Sequence, residues 1–129
     1  MKLINPESLA PPQGYTNGVL LPPGSLLCIA GQIGWNRACH LVSDRFPEQF
    51  DQALANVVAV VTEAGGRPEN IGHLTIYVTD KSEYLTHRAE IGQMYSRRMG
   101  RHFPAMSLVE VKSLLEPGAQ VEIQGLAVI

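Results

Sequence analysis

Charge, cysteine and long apolar runs are all scarce in this chain. Charged residues make up 17% of its 129 positions, against roughly 25% in a typical soluble domain. That shortfall implies surface that meets protein rather than water, and so points to a homo-oligomer. A formal net charge of −2 offers no broad field to draw in nucleic acid or an anionic membrane. Cys28 and Cys39 are the only cysteines, with no CxxC spacing, which predicts reduced thiols in a cytoplasmic compartment. The most apolar early stretch, VLLPPGSLLCIAG, is broken by Pro22, Pro23 and Gly24 and is far shorter than the ~20 residues that span a bilayer. The opening MKLINPESLAPPQGYT holds no apolar leader core. A soluble cytoplasmic protein is the expectation.

What is present suffices for one domain over residues 1–129, long enough to bury about two thirds of the surface of its unfolded chain. Residues Met1 to Gln13, with Pro6, Pro11 and Pro12, read as an extended arm. Two short strands around a Pro-Gly turn follow in GVLLPPGSLLCIAG, closed as a hairpin by Gly31 to Gly34, with a loop from Trp35 to Ser43. From Phe46 to Ala64 the apolar positions Phe46, Phe50, Ala53, Leu54, Val57, Val58, Val61 and Ala64 keep helical spacing. Asp44 is a candidate cap, Pro47 suits the first turn, and Gly65-Gly66 ends the helix.

Next, HLTIYVTD alternates Leu74, Ile76 and Val78 against Thr75, Tyr77 and Thr79, as a half-buried strand does. A second helix is predicted from about Ser82 to Met99, with Tyr84, Arg88, Ile91 and Tyr95 on one stripe and Leu85 and Met99 beside it. AMSLVEV is a strand, Glu116-Pro117-Gly118 a turn, and AQVEIQGLAVI the last strand. Two helices covering one face of a mixed sheet make an α+β two-layer domain, whose other face needs a partner.

Tyr15 and Gly18, AGQI (Ala30 to Ile33), QFDQALANV and EAGG in the first helix, FPAMSLVEV, and PGAQVEIQGLAV together resemble the reactive intermediate deaminase (Rid) family, also known as endoribonuclease L-PSP. The resemblance covers nearly the whole chain with its motifs in order. It implies a chorismate-mutase-like fold and a homotrimer with three clefts at the subunit interfaces. It also implies hydrolysis of an imine or enamine to a carbonyl compound and ammonia, without metal or organic cofactor. In deaminases of the family the FPAMS position reads Pro-Ala-Arg-Ser, and the arginine grips a substrate carboxylate. Here Met106 stands in its place, Ala30 where many members have serine, and Leu108 where many have cysteine.

A hydrogen bond to a charged group contributes ~1.5–3 kcal/mol, so losing an arginine fork weakens carboxylate binding by roughly ten- to a hundredfold. Methionine shapes a pocket without neutralising an anion. Arg88 is the candidate replacement: it falls where the family has an asparagine near the cleft, and the second helix offers it no acid at the i±3 or i±4 positions. By the same resemblance Glu122 is the cleft glutamate, placed for general acid and base work; a plain alternative is an edge-strand glutamate paired with a cation. Gly31 falls in the cleft motif, and the backbone of Ser107 and Leu108 supplies polarising groups that survive side-chain change. Tyr15 and Trp35 either stack on a flat ligand or plug the subunit interface.

Cys28 reads as a buried small hydrophobe, and Glu110 as solvated. His40, His73, His87 and His102 show no HxxxH pattern, and no Cys/His cluster has zinc spacing, so no metal is expected. The run Arg97, Arg98, Arg101 and His102 raises ribonuclease action as a contrary idea, but favourable charge at a helix C-terminus explains it without nucleic acid. The function expected is hydrolysis of an imine or enamine carrying a carboxylate, of a kind unlike the simple amino-acid imines and closer to an aminomuconate-like conjugated acid. A non-catalytic binding trimer of the same fold is the alternative.

Overall fold

The computed structural model of the protein describes all residues, 1–129. Its central sheet takes four strands: β3 (Leu26–Ile33), β4 (Ile71–Val78), β5 (Ala105–Glu110) and β6 (Val121–Val128), in the order β3-β6-β4-β5. β6 runs antiparallel to both neighbours, while β4 and β5 are parallel, so the sheet is mixed. Helices α1 (Phe46–Glu63), α2 (Lys81–Thr86) and α3 (Arg88–Met99) complete the second layer. The helical face holds the core: Phe46, Ala53, Leu54, Val57 and Val61 of α1 pack with Ile71, Leu74, Ile76, Val121 and Ile123, joined by Ile91, Tyr95 and Met99 of α3.

The strand alternation read from the sequence sets the faces. Met106 and Leu108 pair in register with Leu74 and Ile76 and pack half-buried against the core. Their neighbours Ala105, Ser107 and Val109 point the other way, with His73, Thr75 and Tyr77. Glu122, Gln124 and Leu126 share that uncovered face, since Val121, Ile123 and Ala127 are buried on the other.

Three expectations are corrected. β2 (Gly18–Leu20) does not form a hairpin with β3; it pairs with β1 (Lys2–Ile4), so part of the supposed arm is a strand. Pro22 and Pro23 lack amide donors, and the close seat of Gly24 on Val128 and Ile129 steers the chain onto the last strand, where Ser25 and Ile129 exchange backbone bonds of 3.0 and 2.9 Å. The second helix is broken at His87, whose ring Nδ1 sits 2.8 Å from the Glu83 carbonyl and competes with the helical backbone for it. Before the break, Asp80 caps α2 by accepting from the Ser82 amide at 2.9 Å, and those Ser82 bonds hold its carboxyl below the ordinary range. Asp44 does not cap α1; Arg45 occupies that position, and Ser43 Oγ accepts the Arg45 amide instead. At the far end Gly65, with φ of +88°, ends α1 as expected.

Gln49 is fully buried and fastens three segments. Its Nε2 donates to the carbonyls of Ser43 at 2.9 Å and Gly118 at 3.1 Å, and its Oε1 accepts the Gln120 amide at 2.9 Å. A Cβ at Gly34 would fall 2.6 Å from Gln49 Cα, so the loop after β3 lies directly on the helix. Replacing Gln49 by Leu strands three backbone groups in the interior, each costing about 1–3 kcal/mol. The expected loss in urea unfolding is about 3 kcal/mol or more, with native-like circular dichroism below the transition.

Candidate functional site

The predicted site residues fall into two hollows on opposite faces of the sheet. The first, about 280 Å³, lies between α3 and β5 and contains Arg88 and Met106. Its walls are mostly apolar, with Phe50, Ile76, Tyr84, Ile91, Tyr95 and Phe103, and Ser96 adds a hydroxyl. The Tyr95 and Phe103 rings stack with centroids 5.3 Å apart and planes 9° from parallel. The Tyr95 hydroxyl donates to the His102 carbonyl at 2.7 Å. Burial, with Tyr84 nearby, pushes that phenol well above its ordinary range, so it stays a donor.

Arg88 is solvent-exposed at the rim of this hollow and makes no hydrogen bond or ion pair within the chain. Both acids close to it in sequence are already engaged. Glu90 takes a bidentate fork from Arg45 at 3.1 and 3.0 Å, which holds its carboxyl below the usual range and raises the Arg45 guanidinium. Glu83 lies 3.4 Å from His87 Nδ1. The guanidinium is therefore free to meet an external anion, next to a surface that excludes water.

The second hollow, about 190 Å³, brings together Gly31, Trp35 and Glu122 with Ile33, Leu115 and Glu116. A β-bulge creates it: register slips between Ile29 and Gln32 against β6, which turns Gly31 toward Glu122. A Cβ at Gly31 would lie 2.8 Å from Glu122 Cδ and 2.9 Å from Cγ, so only glycine leaves the carboxylate where it is. Asn56 of α1 holds the loop in place, its Nδ2 donating to the carbonyls of Ile33 at 3.1 Å and Trp35 at 3.0 Å. Leu115 is 100% exposed at the rim.

The remaining predicted residues lie apart from both hollows. Ser107 is exposed on the uncovered face, Leu108 packs against the core, and Tyr15 lies exposed between Gly14, which lines the first hollow, and Thr16. β5 is an edge strand whose outer side is met only by the Thr16 bridge to Ala105. Cys28 is exposed on the uncovered face, contrary to the buried position expected, because its strand alternates it away from the helical layer. Glu110 is exposed, as expected, and accepts the Lys81 amide at 3.0 Å. The basic run is partly consumed: Arg98 forks onto Asp51 at 3.0 Å, and His102 Nε2 lies 2.6 Å from the Ile71 carbonyl.

Sequence reasoning passed over Gly92, Ser96 and Phe103 as site residues, although all three line the first hollow. The signal was the i, i+4, i+8 spacing of Arg88, Gly92 and Ser96, which places them on one helical face. No group of three or more His, Cys, Asp or Glu side chains is arranged to hold a metal ion. No helix is long and apolar enough to cross a membrane.

The family model for Endoribonuclease L-PSP matches residues 6–129. A RutC family protein of Aquifex aeolicus is 36% identical over 127 residues, covering 98% of each chain. A 2-iminobutanoate/2-iminopropanoate deaminase of Escherichia coli is 32% identical over 123 residues, 95% of this chain and 91% of its own. The crystal structure of the Rid-family protein YyfB from Yersinia pestis superposes with a TM-score of 0.88 at 32% identity, over 99% of this chain and 98% of that one. The mixed sheet, the one-sided helical layer and the bulge beside Glu122 thus sit in a chain that belongs to the endoribonuclease L-PSP, or Rid, family.

Proposed function

We propose that the protein is a cofactor-independent imine or enamine hydrolase whose clefts form between copies of the chain, three to an assembly. The observation that carries this is the unpartnered Arg88 guanidinium at the rim of an apolar hollow that also contains Met106. Arg88 and Glu122 stand on opposite faces of one sheet, so a single chain cannot apply both to one small molecule. Two copies can, if the Arg88 hollow of one meets the Glu122 hollow of the next. The uncovered sheet face, the free edge of β5 and the fully exposed Leu115 supply surface for that contact.

In such a cleft the Arg88 guanidinium holds the substrate carboxylate, replacing the arginine expected where Met106 stands. An enamine is first protonated on carbon to give the imine. The Glu122 carboxylate then takes a proton from water as its oxygen adds to the imine carbon, with the imine nitrogen protonated. Glu122 returns the proton to nitrogen, and as the C–N bond breaks its carboxylate passes the hydroxyl proton to the departing ammonia, leaving a carbonyl compound and ammonium. Outward backbone groups of the Ser107–Leu108 edge polarise the reacting centre, while Trp35 and Tyr15 flank it. The apolar walls favour a larger conjugated acid, aminomuconate-like in character, over a two- or three-carbon imine.

A non-catalytic ligand-binding trimer is the second reading, favoured by Met106, which lines the Arg88 hollow, and by Ala30 and Leu108, each less polar than the residue many family members carry there. Ribonuclease action is disfavoured by the commitment of Arg98 and His102 inside the fold. Imines generated by an amino-acid oxidase, with ammonia release followed, separate the readings. Glu122→Ala is expected to lower acceleration about 10²–10⁴-fold, and Arg88→Gln to raise KM roughly ten- to a hundredfold with less effect on kcat. Carboxylate binding by calorimetry without acceleration on any substrate retires the enzyme in favour of the binding trimer.

The shared cleft has its own check. Co-refolding Glu122→Ala chains with Arg88→Gln chains leaves about a quarter of the clefts with both residues intact, because random pairing joins the two good halves that often. Measured well below KM, where both variants are impaired, activity should return to that level, and a mixture no better than the mean of its components overturns the interface site.

A further inference from the structure

Arg88, Gly92 and Ser96 follow one another at four-residue steps along α3, and all three line the 280 Å³ hollow. Gly92 is the unusual member. Glycine inside a helix is unfavourable relative to alanine, and close packing does not require it here: a Cβ added at Gly92 meets nothing within 4 Å. Its φ is not in the left-handed region either. The bare backbone therefore serves no packing or conformational need, and its effect is to leave the hollow open beside the guanidinium. Ser96 lies one turn further inside α3, its hydroxyl without a hydrogen bond in the chain. Beside them the lining is flat and aromatic, with Tyr95 of the same helix stacked on Phe103.

We infer that Gly92 and Ser96 set the substrate class: an elongated, flat aromatic or conjugated acid. Its carboxylate sits on Arg88, its ring or conjugated plane passes over the bare helix at Gly92, and a polar atom at its far end bonds Ser96. Eight residues of helix separate the two polar ends, about 12 Å between Cα atoms, a span on the order of a para-substituted phenylpropanoid acid with a hydrogen bond at each end. The hollow lies just below the ~300–1,000 Å³ of pockets for drug-sized ligands, so one ring with a short acid chain suits it. This rests on the reading of Arg88 as the carboxylate anchor.

The test uses stable 2-oxo acids, the hydrolysis products of the corresponding imines, titrated calorimetrically into the full protein. 4-Hydroxyphenylpyruvate should bind about tenfold more tightly than phenylpyruvate, and phenylpyruvate about ten- to a hundredfold more tightly than 2-oxobutanoate. Gly92→Leu, which suits a helix better than glycine, should abolish the preference for aryl acids while leaving 2-oxobutanoate within about twofold, and Gly92→Ala should fall between. Ser96→Ala should remove only the advantage of the hydroxyl. Aryl and small acids bound equally by the wild type, or a ranking unmoved by Gly92→Leu, overturns the inference. Arg88→Gln separates the two levels: if it weakens every acid while Gly92 and Ser96 variants discriminate nothing, the substrate class falls and the anchor stands. If it weakens none, or if the wild type binds no acid, both fall.

Discussion

The packing of α1 across one face of the sheet is the contact on which the rest depends. Ala53, Val57 and Val61 meet Ile71, Leu74, Val121 and Ile123 with no solvent reaching any of them. A sheet of four strands has two faces, and 129 residues provide helices for one. Strand alternation then does the sorting: every side chain on β4, β5 and β6 belongs either to that core or to a face with no cover from its own chain. Cys28 and Leu126 lie exposed there beside His73, Thr75 and Gln124.

This one-sidedness also divides the chemistry. A residue on β5 that alternates inward, such as Met106, is directed at the helices; one on β6 that alternates outward, such as Glu122, is directed away from them. The β-bulge at Ala30–Gly31 and the glycine within it seat the carboxylate on the outer face, while α3 brings Arg88 to the inner one. On the proposed reading the site is a property of the assembly, which explains why neither hollow alone combines an anion holder with an acid or base free to act.

The regular elements were legible because their signals are periodic and local. Helix α1 was expected over Phe46 to Ala64 and spans Phe46–Glu63; the β5 strand was expected from Ala105 and begins there. What periodicity does not encode was missed. The three-residue strand β1 has too few positions to show alternation, and its pairing with β2 instead of β3 follows from prolines and from the seat of Gly24 on the last strand. The break at His87 comes from a ring nitrogen reaching the Glu83 carbonyl, a contact invisible to a hydrophobic count. For the site, the resemblance pointed to Gly31 and Glu122 and the loop aromatic Trp35 was a candidate wall, and the three line one hollow. That Arg88 and Met106 share a different one is a matter of strand face, readable only once the register of β5 on β4 is known.

The consequence for anion binding follows from where the counter-ions go. A guanidinium on a strand inside a cleft is held by its neighbours; one on the first turn of a helix faces the competing carboxylates that helices carry in their opening turns. Here Glu90 is taken by Arg45 from the start of α1, in a fork that also ties α3 to α1, and Glu83 is drawn to His87. Glu90, two residues on, also faces away from Arg88 around the helix, and no acid lies one turn to either side, so the charge of Arg88 is left uncancelled. Against the apolar wall of Phe50, Ile91 and Met106, water screens that charge less than on an open surface, so a carboxylate brought there is attracted more strongly.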